Sequence, residues 1–295
     1  VNNVSADKSI NLPPVDVSKS FNLVDASVDC GSIGTAALKV DADVTAHADV
    51  QVGVVAGGTL IPPAFTTFSL TSGMSGSLEG ALTFSAKASG APFDTGSIQL
   101  FTVGIPGFDI PDILQLGPTF NINGQVKADL SAEVDMKVGL NFDFNNVAFA
   151  FPPSDALAPA GTPAPKDTTL DLSLSPNITA SGSLEAHLIP SVAFGINAFV
   201  GKAQANVNFN VDTSATAEIT ASAGAKITQD IPTRRADVST SLGGCFDLKA
   251  GVVAQVGADA DLFSLFQVNK NFPVFSKNFD IFQVGSIMGY MAMQC

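Results

Sequence analysis

From residue 38 to residue 54 every even position is Leu, Val or Ala, and every odd position is Lys, Asp, Thr, His, Gln or Gly. Strict period-two polarity is what a β-strand with one buried and one solvated face requires, because successive side chains point to opposite faces. The same alternation recurs over residues 74–88, 126–144, 170–188, 203–227 and 246–262, and no stretch carries a helical period of comparable length. Most of these segments put their apolar residues on even numbers, but from Ala205 to Ile219 they fall on odd ones. That change of phase near Gly201 and Lys202 predicts a turn or bulge. A run of twenty alternating residues would span about 65 Å at about 3.3 Å per residue, so the strands must twist strongly, bend at glycines or be broken by bulges. The expected fold is all-β: an elongated, strongly twisted β-sandwich of long antiparallel strands with little or no helix, and with Val44, Val134 and Val207 turned inward.

Composition narrows the partners. Apolar residues make up 46% of the 295, yet they nowhere form the uninterrupted run of about eighteen that a membrane-spanning helix needs. The apolar face is rich in alanine, with no Trp and a single Tyr, Tyr290, whereas an outer-membrane barrel needs large lipid-facing side chains and aromatic girdles. A membrane-spanning protein is therefore not expected, and Val1 reads as a processed mature N terminus. Acidic residues outnumber basic ones 27 to 14, and the only arginines are the adjacent Arg234 and Arg235, which argues against a nucleic-acid partner. The aspartates read as a solvated outer face that discourages edge pairing. Asp41, Asp43, Asp259 and Asp261 are the first candidates for calcium, since alternate aspartates share a strand face, but they lack the glycine turn and terminal glutamate of a dedicated loop. No cofactor is expected.

Residues 151–166, FPPSDALAPAGTPAPK, hold five prolines and no periodicity, and read as an extended loop or linker. They divide the chain into residues 1–150, the first half of a β-sandwich, and residues 167–295, the second half of the same sandwich. One body is expected because both halves carry the same Ala-rich face, which needs an opposing sheet about 10 Å away. Residues 101–118, FTVGIPGFDIPDILQLGP, read as a loop packed against one end of the sheets.

Catalytic motifs are missing: there is no G-x-S-x-G elbow, H-E-x-x-H helix or phosphate loop. His47 and His187 both occupy the polar phase of long strands and read as surface imidazoles. Non-enzymatic function is the expectation. Of three cysteines, Cys245 and Cys295 are the candidate disulfide, since a bond between them would tie down the C-terminal tail; Cys30 is left free, buried or intermolecular. Asn3 and Asn177 head N-x-S/T sequons and are candidate glycosylation sites, consistent with a secretory route. The C-terminal aromatic cluster, Phe263, Phe266, Phe272, Phe275, Phe279 and Phe282 with Tyr290, reads first as a plug closing one end of the sandwich. Its functional reading is a pocket for an apolar small molecule.

The punctuation Gly104-Ile105-Pro106-Gly107-Phe108, continuing to Leu116-Gly117-Pro118 and into the alternating segment, resembles a group of secreted fungal β-rich proteins of largely uncharacterised function. Cys245 and Cys295 add to the similarity. Members of that group are sometimes found beside chitinase-like or toxin-like modules. The resemblance implies a fungal, extracellular or cell-wall-associated protein without catalysis of its own.

Two functions follow as expectations. The first is a non-catalytic structural or interaction protein of the fungal cell surface or extracellular matrix, whose partners are further copies of itself or cell-wall components. The alternative is a carrier of an apolar small molecule, a lipid or pigment, at the Phe-rich end. A carbohydrate-binding role ranks behind both because no Trp is available as a platform for sugar rings.

Overall fold

The computed structural model describes residues 3–29, 35–87, 92–110, 114–130, 134–152, 164–174, 179–198, 203–222, 226–230, 237–238, 243–262, 266–284, 287–288 and 291–292. Every regular element in these segments is a β-strand and every strand pair is antiparallel, in keeping with the period-two pattern. The first sheet runs in the order β1 (Asn3–Asn11), β3 (Thr35–Leu60), β4 (Pro63–Lys87), β9 (Val134–Phe151), β10 (Ala164–Leu174), β13 (Lys226–Asp230), β14 (Asp237–Val238). A further strand, β2 (Val15–Asp29), shares one edge of β3 with β1. The second sheet runs β16 (Phe266–Val284), β15 (Gly243–Leu262), β12 (Ala203–Ser222), β11 (Thr179–Ala198), β8 (Leu114–Leu130). Three short strands, β5 (Phe93–Asp94), β6 (Ile98–Gly104) and β7 (Phe108–Ile110), pair along the remaining edge of β8. A small hairpin of β17 (Ile287–Met288) and β18 (Met291–Ala292) stands apart.

The long strands are as long as the alternation implies, with 26 residues in β3 and 25 in β4. Their length is accommodated by irregularities in the ladders, including shifts of register between Gly57 and Gly58 and between Met74 and Gly76. Three of the alternating segments are not single strands. Residues 126–144 leave the second sheet at Leu130 and enter the first at Val134; residues 170–188 and 203–227 also change sheet partway. Even-numbered residues point inward on both sides of the first crossing, as Val126 and Ala128 do before it and Met136 and Val138 after it, so the polarity pattern carries straight through. The phase change has a different origin. β11 and β12 form a hairpin in which Ala198 lies opposite Ala203, which moves the inward positions from even to odd; residues 199–202 themselves lie outside the described residues.

All five passages between the sheets, from β4 to β5, β8 to β9, β10 to β11, β12 to β13 and β14 to β15, leave from the same end of the sandwich, where Val134 lies opposite Leu174 and Ala86. Between the sheets the inward side chains form one hydrophobic cluster drawn from both: Val40, Val52 and Val138 from the first sheet, and Ile122, Phe194, Val207 and Val252 from the second, are fully buried. Val44 is buried as expected, and the large rings of Phe120, Phe142 and Phe209 fill the middle of the slab. At about 25 cal/mol per Å² of apolar surface removed from water, this seal is the main favourable contribution to the fold.

The glycine- and proline-rich punctuation has a structural purpose. Ile105 donates its backbone N–H to the Pro118 carbonyl at 2.9 Å, and Phe108 lies opposite Leu116 in the β7–β8 ladder. The two halves of the motif are therefore packed on each other. Gly107 sits so close to β8 that a Cβ there would come within 1.8 Å of the Leu116 carbonyl oxygen. Only glycine fits. Much of residues 101–118 is thus strand rather than loop, because β6 and β7 find hydrogen-bond partners along β8 that local sequence cannot reveal. Likewise Ala164, Pro165 and Lys166, from the Pro-rich segment, pair with β9, while residues 153–163 lie outside the described residues.

The sheet edges end in ways that oppose further pairing. The β1–β2 edge is interrupted at Pro13 and Pro14, β14 has two residues, and the β5–β7 edge is broken into three pieces. The long edge strand β16 carries exposed Pro273 and Lys277, and its register against β15 shifts twice.

Gly107→Ala is expected to lower stability by about 1–3 kcal/mol, because the added carbon meets backbone that cannot move aside cheaply. Gly104→Ala, with nothing within 4 Å of its Cβ position, should stay within about 0.5 kcal/mol of the parent. Urea unfolding of the two variants side by side checks this; equal effects would refute the close-approach account of the motif.

Candidate functional site

Alternation sends odd residues of β8, β11 and β15 and even residues of β12 to the outer face of the second sheet. Antiparallel registers then align them in rows across the strands. One row joins Asn121, Ser191 and Asn210; the next joins Ala193, Asn208, Gly257 and Asn271; a third joins Asn206 and Asp259. Together with Asn123 and Ile189 they line an open groove of about 580 Å³. Its floor is built from small groups. Gly257 is buried and has no side chain, and Ser191 is only 5% exposed.

Hydrogen bonding within the groove is sparse. Thr102 donates to Asn121 Oδ1 at 2.7 Å. Among the described residues, the side chains of Asn123, Asn206, Asn208, Asn210, Asn271 and Ser191 make no hydrogen bond to another protein group. The amide oxygens of Asn208 and Asn271 converge over Gly257, within 2.3 and 2.8 Å of where a Cβ would stand. Farther along β11 on the same face, opposite Gln115 and Gln204, Asn197 holds a buried Oδ1 that has no hydrogen-bond partner among the described residues.

A charged cluster borders the groove, four residues back along β11. His187 is buried, with Nδ1 2.8 Å from Asp212 Oδ1 and Nε2 2.5 Å from Glu185 Oε1. Lys127 reaches Glu185 at 3.3 Å, and Gln125 donates to Asp94 at 2.8 Å. Burial on its own would push the His187 imidazole down, but the hydrogen bonds and negative charge of Asp212 and Glu185 outweigh it and hold the group above its ordinary value. Burial likewise raises the Glu185 carboxyl, and His187 and Lys127 overcome that to leave it below its ordinary value. Gln125 and the Gly96 N–H hold Asp94 down as well. The expectation of a surface imidazole is corrected for His187: it is buried, held between Asp212 from β12 and Glu185 from its own strand. His47 is the exposed counterpart on the first sheet, 2.7 Å from Asp16 and 3.1 Å from Asp49, and hydrogen bonds from those two carboxylates raise it too. With both ring nitrogens given to carboxylates, neither histidine offers the free lone pair a general base needs.

The other residues marked from sequence are dispersed. Phe275 and Phe279 are half-buried and pack against the core from edge strand β16, with Lys277 lying 4.9 Å over the Phe279 ring. Phe272 stands opposite Val256, Phe282 opposite Leu248 and Phe266 opposite Leu262; Phe263 and Tyr290 lie outside the described residues. Cys245 stands opposite Thr220 in β15, while Cys30 and Cys295 lie outside the described residues. Asn3 begins β1 and is exposed, and Asn177 lies outside the described residues. Asp41 accepts from Asn22 at 2.8 Å, which with Lys39 at 3.3 Å holds its carboxyl below the ordinary value. Asp43 accepts from Ser20 at 2.5 Å. Asp259 lies in the groove and Asp261 opposite Gln204 and Gln267. Among the described residues, no group of three or more His, Cys, Asp or Glu is placed to hold a metal ion. No helix there is long and apolar enough to cross a membrane. The asparagine groove itself went unmarked in the sequence, although N-x-N-x-N from Asn206 to Asn210 in the polar phase is a signal that could have found it.

The charged cluster makes a pH prediction. Below the ordinary histidine value, about 6.5, His187 is protonated folded or unfolded and its ion pairs contribute fully. As pH rises towards the raised folded value, the unfolded chain gives up its proton first and the contribution fades. His187→Gln should therefore cost about 1.5–3 kcal/mol at pH 6 and clearly less at pH 9. Denaturant titrations at the two pH values check this, and an equal deficit at both would refute it.

Comparison with known proteins adds a family. No curated protein and no solved structure matches the chain. The family model described as a domain of unknown function, DUF7223, matches residues 3–277, nearly the whole of both sheets, and the chain belongs to that family.

Proposed function

We propose that this chain is a non-catalytic interaction or structural protein of the fungal cell surface or extracellular matrix, and that it makes its contacts through the groove on the outer face of the second sheet. The observation that carries this reading is the set of neutral amides, all but that of Asn121 without a hydrogen-bond partner among the described residues, gathered there by three strands, β8, β12 and β16. Elsewhere on the outer faces some polar groups are paired with one another, as Ser85 is with Asp135 and Asn22 with Asp41. Open polar groups in a depression are what a partner surface uses for orientation and specificity. The resemblance carried by Gly104–Phe108 and Leu116–Pro118 supports the secreted fungal setting.

The absence of catalysis is part of the proposal and is supported by the committed state of both histidines. Self-association through strand edges would be a second route to a matrix role. The interrupted and proline-bearing edges disfavour it, so the outer face is the better surface for contacts.

Co-sedimentation with isolated fungal cell walls tests the reading. The parent protein should be retained, and the triple variant Asn206→Ala, Asn208→Ala, Asn271→Ala should lose at least about tenfold in retention. No retention of the parent, or equal retention of both, would overturn it.

A further inference from the structure

Resting on the reading of the groove as the contact surface, we propose that its ligand is a neutral polysaccharide strand, held by hydrogen bonds from the amides of Asn206, Asn208, Asn210 and Asn271.

Charge selects first. The groove's lining contains one ionisable group, Asp259, and no Lys or Arg, in a chain of formal net charge −13. An anionic polymer would meet repulsion with no cation to offset it. A cation would find a single carboxylate where hard cations take six or more oxygens. A neutral ligand meets neither obstacle.

Hydrogen-bond chemistry selects next. Each amide offers two donors and an acceptor with two lone pairs, and each sugar hydroxyl is at once donor and acceptor, so an amide row can satisfy a hydroxyl row without matching charge. The groups are unspent rather than merely exposed. The converging oxygens of Asn208 and Asn271 over Gly257 form an acceptor pair for a hydroxyl, and the Ser191 hydroxyl on the floor has no protein partner among the described residues. An extended peptide is a poorer fit, because it binds a sheet through free backbone at an edge and the groove lies on a face.

Shape selects last. The lining spans five strands, β8, β11, β12, β15 and β16, which at about 4.8 Å per strand is about 19 Å, room for several sugar rings in a row. Ile189, Ala193 and Gly257 leave a low floor on which ring C–H groups can rest. That floor takes the place of the aromatic platform the sequence lacks.

Isothermal titration with three soluble polymers tests the proposal: a neutral β-glucan, a neutral mannan, and polygalacturonate as the anionic control. At least one neutral polymer should bind and polygalacturonate should not. Asn208→Ala with Asn271→Ala should weaken that binding about tenfold. Gly257→Ala should weaken it comparably with an unchanged melting temperature, because its Cβ displaces only the flexible ends of two asparagines. Thr83→Ala, on the outer face of the other sheet, should bind like the parent. Binding by neither neutral polymer, or binding that both groove changes leave intact, would overturn the proposal. Groove-dependent retention on cell walls without neutral-polymer binding would sink the ligand class and spare the contact surface; no retention on walls would remove both.

Discussion

The structure depends on sealing two alternating faces against each other. Neither sheet is stable alone, since every second residue of strands up to 26 residues long is apolar and would otherwise meet water. Closing the faces fixes the register of each strand, because a slip of one residue would exchange the whole inward set for the aspartates, threonines and asparagines that alternate with it. The buried set from Val40 to Ala56 in steps of two is interrupted nowhere by a charged side chain. All five passages between sheets lie at one end, so chain segments that alternate without interruption still supply both layers.

Once the inward faces are committed, the outward faces have their own requirements. Outward polar groups on neighbouring strands stand close enough to pair, and at several places they do. His47 and His187 follow one plan on opposite sheets: an imidazole held between a carboxylate two residues along its own strand and another on the adjacent strand. His187 differs in burial, and there desolvation and the two carboxylates work in opposite directions on the same proton. Beside it the pattern stops. Asparagines replace ionisable residues there, and all but one of their amides stay without a hydrogen-bond partner among the described residues, gathered over the small floor of Ser191 and Gly257.

How much of this was legible varied by element. The inward set was readable residue by residue, and Val44 and Val207 are buried where the alternation puts them. The sheet changes within residues 126–144 were not readable, because a short connection that preserves parity leaves no trace in a period-two pattern. The irregular stretch around Gly107 reads locally as loop, yet it supplies two strands whose partners lie on β8. His187 in the polar phase of its strand gave no sign of burial, since one of its two carboxylate partners, Asp212, comes from another strand.

The sequence by itself determined which side of each strand meets water, because that depends only on parity along the chain and on the free energy of transferring each side chain. It also determined the all-β class and the poverty of cationic groups. Only the tertiary structure decided which strands became neighbours, and with that which outward residues share a row. Asn121, Asn208 and Asn271 are scattered through 151 positions of the chain, and they line one groove because hydrogen-bonded ladders, which read backbone rather than side-chain identity, bring their strands side by side.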